Sequence, residues 1–439
     1  MCLWLCIAVE PATSQGALTM PVDLKRIPPP AQRPRAPAWW VWLLFLLCWL
    51  AAGTCWAIMS NKDKLQINTA DFWQTALILP ALLWLILLAL RIAWYKGLQS
   101  MADGWDNDRE QIWSREIQRG RRHLAILGVS LHTALRLPDD QDGKGQREAL
   151  RNNTPALKTQ PFWWSDEGIR HSRLLRIGDE TPEQLVKRIM SNTLNELTSV
   201  LASVPAEIPL SLIIESDSSM PVSEIQSIWR QCLANSHIRQ PVTYLEGKGL
   251  QMIDHWLDQP MTEPSLMLIV ALQVAPKQVE GTAETVVSLL LASPQVAADL
   301  MPLALLHRPE QVKGISHEAF HYAFARAFDW AALPAEAVPA GWLVGIKMNY
   351  HQPIATGLIA LSSPINIGRD FYNLDSSLGY PGVAAPWVAI AGAILRCGDD
   401  KSQLIVSGDG FADQPLWATV ITPLPLSSEL HQARPVRAA

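Results

Sequence analysis

Glu263–Ser293 reads EPSLMLIVALQVAPKQVEGTAETVVSLLLAS, with two uncharged runs, SLMLIVALQV and TVVSLLLAS, divided by a polar stretch that holds Pro276 and Gly281. Short apolar runs rich in Leu, Val and Ile and bounded by turn residues read as strands. Upstream of them, HLAILGVSL (123–131), IPLSLIIES (208–216) and PVTYLE (241–246) have the same texture. Between these lie stretches of helical period, 181–204, 221–235 and 248–258. Thr181 followed by Pro182 predicts an N-cap with proline in the first turn, and Ser223 is the expected cap of the next helix. The alternation defines an α/β domain.

The order then starts over. A helix at 317–328, a strand-like WLVGIKMNY (342–350), a helix at 384–397 and strands QLIVSGDG (403–410) and LWATVITP (416–423) predict a second half built like the first. No sequence repeat is visible, so the duplication rests on element order alone.

Over residues of about 205–422 this order resembles the thiolase-like fold of β-ketoacyl synthases. The carrying residues are the helix Lys248–Leu257, then EPSLMLIVALQV and EGTAETVVSLLLAS, and later SSLGYPGVAAPWVAIAGAIL (Ser376–Leu395) ahead of LIVSGDGFADQPLWATVI. The resemblance implies a cysteine at the mouth of the first-half helix, activated by the helix N-terminus, and two histidines that stabilise the developing charge. At the cysteine's place stands YLEGKGLQ, with Leu245, Glu246 and Gly247 nearest. Tyr380 follows Gly379 where one histidine is expected, and GIKMNY (345–350) replaces the loop of the other. With all three groups missing, no catalytic residue is assigned and the domain reads as a pseudoenzyme. Cys232, midway along an amphipathic helix, reads as structural.

His317-Glu318-Ala319-Phe320-His321 is a literal H-E-x-x-H. On a helix it sets two imidazoles one turn apart with a glutamate beside them, the arrangement that activates zinc-bound water. This is the alternative: a zinc hydrolase with His317 and His321 as ligands and Glu318 as the base. A third ligand is needed, and only His307 and Asp329 lie near in sequence, neither at a known spacing. His351 is a lesser candidate. The pairs Gly247/Gly249 and Gly408/Gly410 form no nucleotide-binding loop, so no cofactor is expected. The acidic loop Asp139–Gly145 lacks calcium-loop spacing and reads as solvated.

Apolar composition is concentrated ahead of residue 96. Trp39–Met59 and Phe72–Leu90 carry no charge and are long enough to cross a hydrocarbon core of about 30 Å. Tryptophans cluster near their ends, as interfacial aromatics do. The flanks are basic: Lys25, Arg26, Arg33 and Arg35 on one side, Arg91, Lys96 and Arg109 on the other, whereas the loop Ser60–Asp71 is balanced. By the positive-inside rule both termini are cytoplasmic and only that loop faces outward.

The predicted organisation is a basic, Pro-rich and disordered tail (1–38), a transmembrane hairpin (39–95), a helical stalk (96–122) and a cytoplasmic thiolase-like α/β domain (123–439). Met20 is a candidate start, since the segment ahead of it makes a poor signal peptide. Six cysteines scattered over leader, span and body give no disulfide framework and fit a reducing compartment. A net charge of -5 without a basic stripe in the body argues against nucleic acid.

The membrane arrangement is similar to that of accessory inner-membrane proteins of bacterial type VI secretion clusters, often labelled "virulence factor". That resemblance implies an adaptor whose partners are the lipid bilayer and a secretion component or effector. A retained acyl-ligand pocket without turnover is the remaining possibility.

Overall fold

The computed structural model describes residues 22, 24–60, 70–140, 142–259, 263–298, 300–396, 401–408 and 415–424. Cys2, Cys6, Met20, most of the loop Ser60–Asp71, Cys397 and Gly410 lie outside the described residues. The chain divides into one compact unit, Asp23–Glu116, and another that runs from Ile117 onward.

The smaller unit contains α1 (Trp39–Ser60), a short α2 (Ala70–Trp73) that passes through a π-helical turn at Gln74–Ile78, and α3 (Leu79–Gly120). The π turn has a covalent cause. Pro80 offers no N–H to the carbonyl four residues back, and the helix widens just ahead of it, with the Leu79 N–H reaching the Gln74 carbonyl. Gly53 of α1 fits against this place: a Cβ there would stand 2.5 Å from Pro80 Cγ and 2.9 Å from the Ala76 carbonyl oxygen. Helices approach this closely only through small residues. Both apolar segments, Trp39–Met59 and the start of Gln74–Gly120, are long and apolar enough to cross a membrane, and only 6% and 11% of their apolar windows are buried. Core helices of a water-soluble protein would be covered.

The stretch expected to be a helical stalk (96–122) is helical to Gly120, and α3 runs into it unbroken from the apolar run. The tail, expected to be disordered, is tied down. Arg33 pairs with Asp103 and with Asp106 (2.7 Å), the Ala31 N–H donates to Asp106 (2.8 Å), and Arg109 Nε donates to the Pro28 carbonyl (2.8 Å). Prolines hold this segment extended, so its carbonyls stay free for such donors.

The larger unit begins with β1 (His123–His132), α4 (Lys144–Arg151), the hairpin β2 (Lys158–Phe162) and β3 (Ser165–His171), and α5 (Pro182–Ala202). It continues with β4 (Leu210–Ser216), α6 (Val222–Ala234), β5 (Val242–Tyr244), α7 (Gly249–Asp258), β6 (Leu266–Gln273) and β7 (Thr285–Ala292). The second half has α8 (Pro294–Ala297), β8 (Ala304–His307), β9 (Glu310–Val312), α9 (His317–Trp330), β10 (Ala340–Val344) and α10 (His351–Ala360). After these come β11 (Phe371–Asn373), α11 (Leu374–Ser377), α12 (Ala385–Arg396), β12 (Gln403–Ser407) and β13 (Leu416–Thr422).

The fold is α/β with a mixed sheet, and its duplication appears in the strand order. The first half runs β5-β4-β6-β7-β1 and the second β11-β10-β12-β13-β8. Each half thus takes its own strands in the order third, second, fourth, fifth, first. In each, the fifth strand is antiparallel to its neighbours, while the second is parallel to the third and fourth. The first strands of the halves, β1 and β8, pair antiparallel from His123/His307 to Ile126/Ala304.

Three apolar clusters define the layers. One joins α5 and α6 to the first half-sheet, one joins α9 and α10 to the second, and one sets α7 and α12 against strands of both halves. Every residue of β6 and β7 is buried, as strands covered on both faces must be.

Local signals mostly hold. Thr181 caps α5 in a full capping box with Gln184. Ser223 is not a cap: Pro221 holds that position, without a side-chain bond. The acidic loop is not merely solvated, since Asp140 accepts the Gly145 and Gln146 N–H groups (3.0 and 2.7 Å) at the start of α4.

Gly53→Leu is expected to destabilise the hairpin by about 1–3 kcal/mol, because Pro80 and the Ala76 carbonyl occupy the space needed. Thermal unfolding in detergent, read beside a Gly97→Leu control where nothing lies within 4 Å, checks it.

Candidate functional site

Parallel strands end together, and their C-terminal ends are where α/β sheets build sites. Here β4 ends on Glu215-Ser216 and its parallel neighbour β6 on Gln273, while β10 of the second half ends on Val344. Glu215 is buried, at 6% exposure. Its two carboxylate oxygens each accept the N–H of Gly249, the first residue of α7, at 3.1 Å, and Trp387 Nε1 of α12 donates to it at 3.1 Å. Gly249 has φ of 51°, which glycine adopts at little cost. Burial pushes the Glu215 carboxyl up to about 7, opposed by the Gly249 N–H, the indole and Lys248.

Around this centre the side chains satisfy one another. Gln273 Nε2 donates to the carbonyls of Ala283 and Tyr380, both at 2.9 Å. Gly382 lies so close that a Cβ there would meet Gln273 Oε1 at 2.0 Å and Asp217 Oδ2 at 3.0 Å. Asp375 accepts the Ile346 N–H at 3.3 Å, and burial lifts its carboxyl to about 6. The Tyr380 ring is 3.1 Å from where a Gly345 Cβ would stand.

So the structure brings together the segments singled out in sequence, YLEGKGLQ, Gly379-Tyr380 and GIKMNY. It corrects which group holds the helix mouth. That group is neither Leu245, Glu246 nor Gly247 but Glu215, 34 residues before Gly249 in the chain. The available signal was a lone carboxylate closing an apolar strand, IPLSLIIES. Cys232 is buried in α6, with Sγ 3.5 Å from Ser191 Oγ.

The H-E-x-x-H residues sit in the first turn of α9, capped by Ser316, whose Oγ accepts the Ala319 N–H. His317 and Glu318 point to solvent, with side chains 53% and 71% exposed, and His317 Nε2 lies 3.2 Å from the Glu318 carboxylate. The suggested third ligands are engaged elsewhere. Asp329 pairs with Arg326 at 2.9 Å, and buried His307 bonds Thr422 at 3.0 Å, burial lowering its ring to about 3. Among the described residues no three His, Cys, Asp or Glu side chains are grouped to hold a metal ion. His351 opens α10, half-buried.

An open cleft of about 480 Å³ lies between the end of β1 and α5. Its polar wall carries Arg136, paired with Glu196 at 2.6 Å, and Arg188, paired with Glu180 at 2.8 Å. Asn192 and Asn195 also face it, and no side-chain partner holds them among the described residues. Its rim is aliphatic: Leu137, Leu175 and Ile177 are exposed. His132, in its wall, is lowered to about 3 by burial and the nearby Arg136, and so is neutral.

No family model matches the chain, and no curated protein matches it. Among solved structures, the chain is similar to the PfaC keto synthase–chain length factor at 12% identity and a TM-score of 0.49, covering 72% of this chain and 44% of that one. The ishigamide ketosynthase/chain length factor is 12% identical at a TM-score of 0.48, with 69% and 100% covered. Human mitochondrial 3-ketoacyl-CoA thiolase in complex with CoA is 10% identical at 0.44, with 70% and 99% covered. The chain therefore spans less than half the length of the first and all of the second.

Two outcomes follow. Glu215 holds its proton up to about 7 when folded, against an ordinary 4.5, so the folded chain binds more protons than the unfolded chain between these values. Stability therefore falls as pH rises through that window, on the order of 3 kcal/mol from this group. Glu215→Gln should flatten that share of the profile in urea titrations, leaving the similar share of Glu310, also raised to about 7. Metal analysis of the purified protein should find the same trace zinc in wild type and His317→Ala. A full equivalent present only in wild type would restore the hydrolase alternative.

Proposed function

We propose that the protein is a membrane-anchored adaptor whose larger unit is a thiolase-like domain that does not condense acyl groups. The observation that carries this is the Glu215 carboxylate at the mouth of α7. A condensing thiol needs free helix-terminal N–H groups and a polar opening for the developing oxyanion. Here the Gly249 N–H and the Trp387 indole already bind a carboxylate of the same chain. The duplicated strand order supports the thiolase-like description.

Function then passes to surfaces. The cleft over α5 offers two carboxamides without side-chain partners among the described residues, beside exposed aliphatic side chains, and exposed apolar groups rimming a polar recess suit a protein partner.

The anchor is the α1/α3 hairpin in a bacterial inner membrane, crossed twice. Its exposed apolar surface supports insertion, and the tail lying on Asp103–Arg109 supports placing both flanks on one side. Their basic character supports calling that side cytoplasmic. In this reading the partner is a component or effector of a type VI secretion machine; membrane arrangement is its support.

A photocrosslinker at Ile177 in native membranes should capture one secretion protein, and Asn192→Ala/Asn195→Ala should abolish the capture while a crosslinker at Ile359 stays silent. Capture unaffected by the double variant would exclude the cleft. Turnover of an acyl thioester by the purified protein would sink the adaptor reading.

A further inference from the structure

The two apolar helices meet closely at Gly53, Pro80 and Ala76. Nearer the start of α1, the contact is a long side chain: Trp84 Nε1 donates to the Trp42 carbonyl at 3.0 Å. There a cleft of about 370 Å³ opens beside Pro37, walled by Trp39, Trp42 and Leu43 of α1 and by Trp84, Leu88 and Ile92 of α3. Every wall is apolar. Arg35 precedes Pro37 by two residues and Arg91 precedes Ile92 directly.

These two cations differ from their neighbours. Arg33 is held by Asp103 and Asp106, and Arg109 by the Pro28 carbonyl, whereas Arg35 and Arg91 have no acidic partner among the described residues. The smaller unit thus has an aromatic-lined cleft whose wall residues Pro37 and Ile92 follow Arg35 by two residues and Arg91 directly, at the basic ends of the apolar runs.

We propose that this cleft is a lipid site that takes one acyl chain of an anionic phospholipid, with Arg35 and Arg91 holding the headgroup phosphate. The inference rests on the membrane reading above and deepens it. Water cannot fill an apolar cleft, which offers it no partners. A further helix would need small residues on which to pack, and bulky tryptophans line this surface. An acyl chain meets neither obstacle. Guanidinium groups bind phosphate through paired N–H donors, and basic residues at this depth favour anionic over zwitterionic headgroups.

The test uses the full chain in vesicles of phosphatidylcholine with a minor share of phosphatidylglycerol, then gentle detergent extraction and native mass spectrometry. The expected result is one phosphatidylglycerol retained per chain, with roughly tenfold preference over phosphatidylcholine. Arg35→Gln/Arg91→Gln should remove the preference, Arg35→Lys/Arg91→Lys should restore most of it, and Leu88→Trp should block retention by filling the cleft. Equal retention of both lipids, or retention unchanged in the Gln and Trp variants, would overturn the site. Alkaline carbonate keeps the two questions apart: a chain washed off the vesicles fails as a membrane protein, whereas one that stays without selectivity fails only as a lipid binder.

Discussion

The larger unit depends on one helix that has no polar side to give to water. In α12 (APWVAIAGAILR) ten consecutive residues from Ala385 to Ile394, save Pro386, are buried. A helix apolar all round must be covered on every face. One half-sheet covers one face, so a second is required, and duplication of a five-strand unit supplies it within the one continuous sheet. Trp342 of β10 closes against α12 at Gly392, where a Cβ would meet its ring at 2.9 Å. At the far end of the companion helix α7, buried Arg308 binds Asp254 at 2.5 Å and Asp258 at 2.8 Å, and Arg119 adds a second cation to Asp258 at 2.9 Å. Buried charges persist when paired, and here Arg308 bridges two carboxylates while Asp258 keeps two cations, so each charge at this end of the layer is neutralised within the network.

A second regularity is the anchoring of tryptophans. Trp387 donates to Glu215, Trp330 to Glu310, Trp163 to Glu284 and Trp342 to Gln403. Each of these four indoles brings a large apolar surface and one N–H, and each N–H finds a side-chain acceptor, whereas that of buried Trp229 finds none among the described residues. Three of those acceptors are carboxyls that burial pushes upward, so their charge is set by the packing around them rather than by an ion pair.

What the sequence revealed follows from what its signals measure. Apolar runs such as 266–273 and 285–292 announce strands because burial on both faces demands them. The hairpin β2–β3 escaped notice, since KTQPF and SDEGIRH are polar strands half open to water. Element order carried the duplication because each half repeats its connections, although its residues do not repeat. The candidate site was legible by place and not by content. Helix α7 could be located from its pattern, but Glu215 reaches it across the sheet, and no local motif reports a contact 34 residues away. H-E-x-x-H misled for the opposite reason: it is wholly local, and its chemistry needs a third group that only the fold could supply.

The tail laid along α3 also bears on how the chain is made. Arg33 leaves the ribosome 70 residues ahead of Asp103 and 73 ahead of Asp106. Synthesis proceeds at about 5–20 residues per second, so for several seconds the tail has no partner, while both apolar helices are produced. The contact therefore closes only once both apolar helices are made, and it then ties the segment ahead of the first to the stretch of α3 beyond the second, so that the pair is clasped at one end by ion pairs that neither helix contains alone.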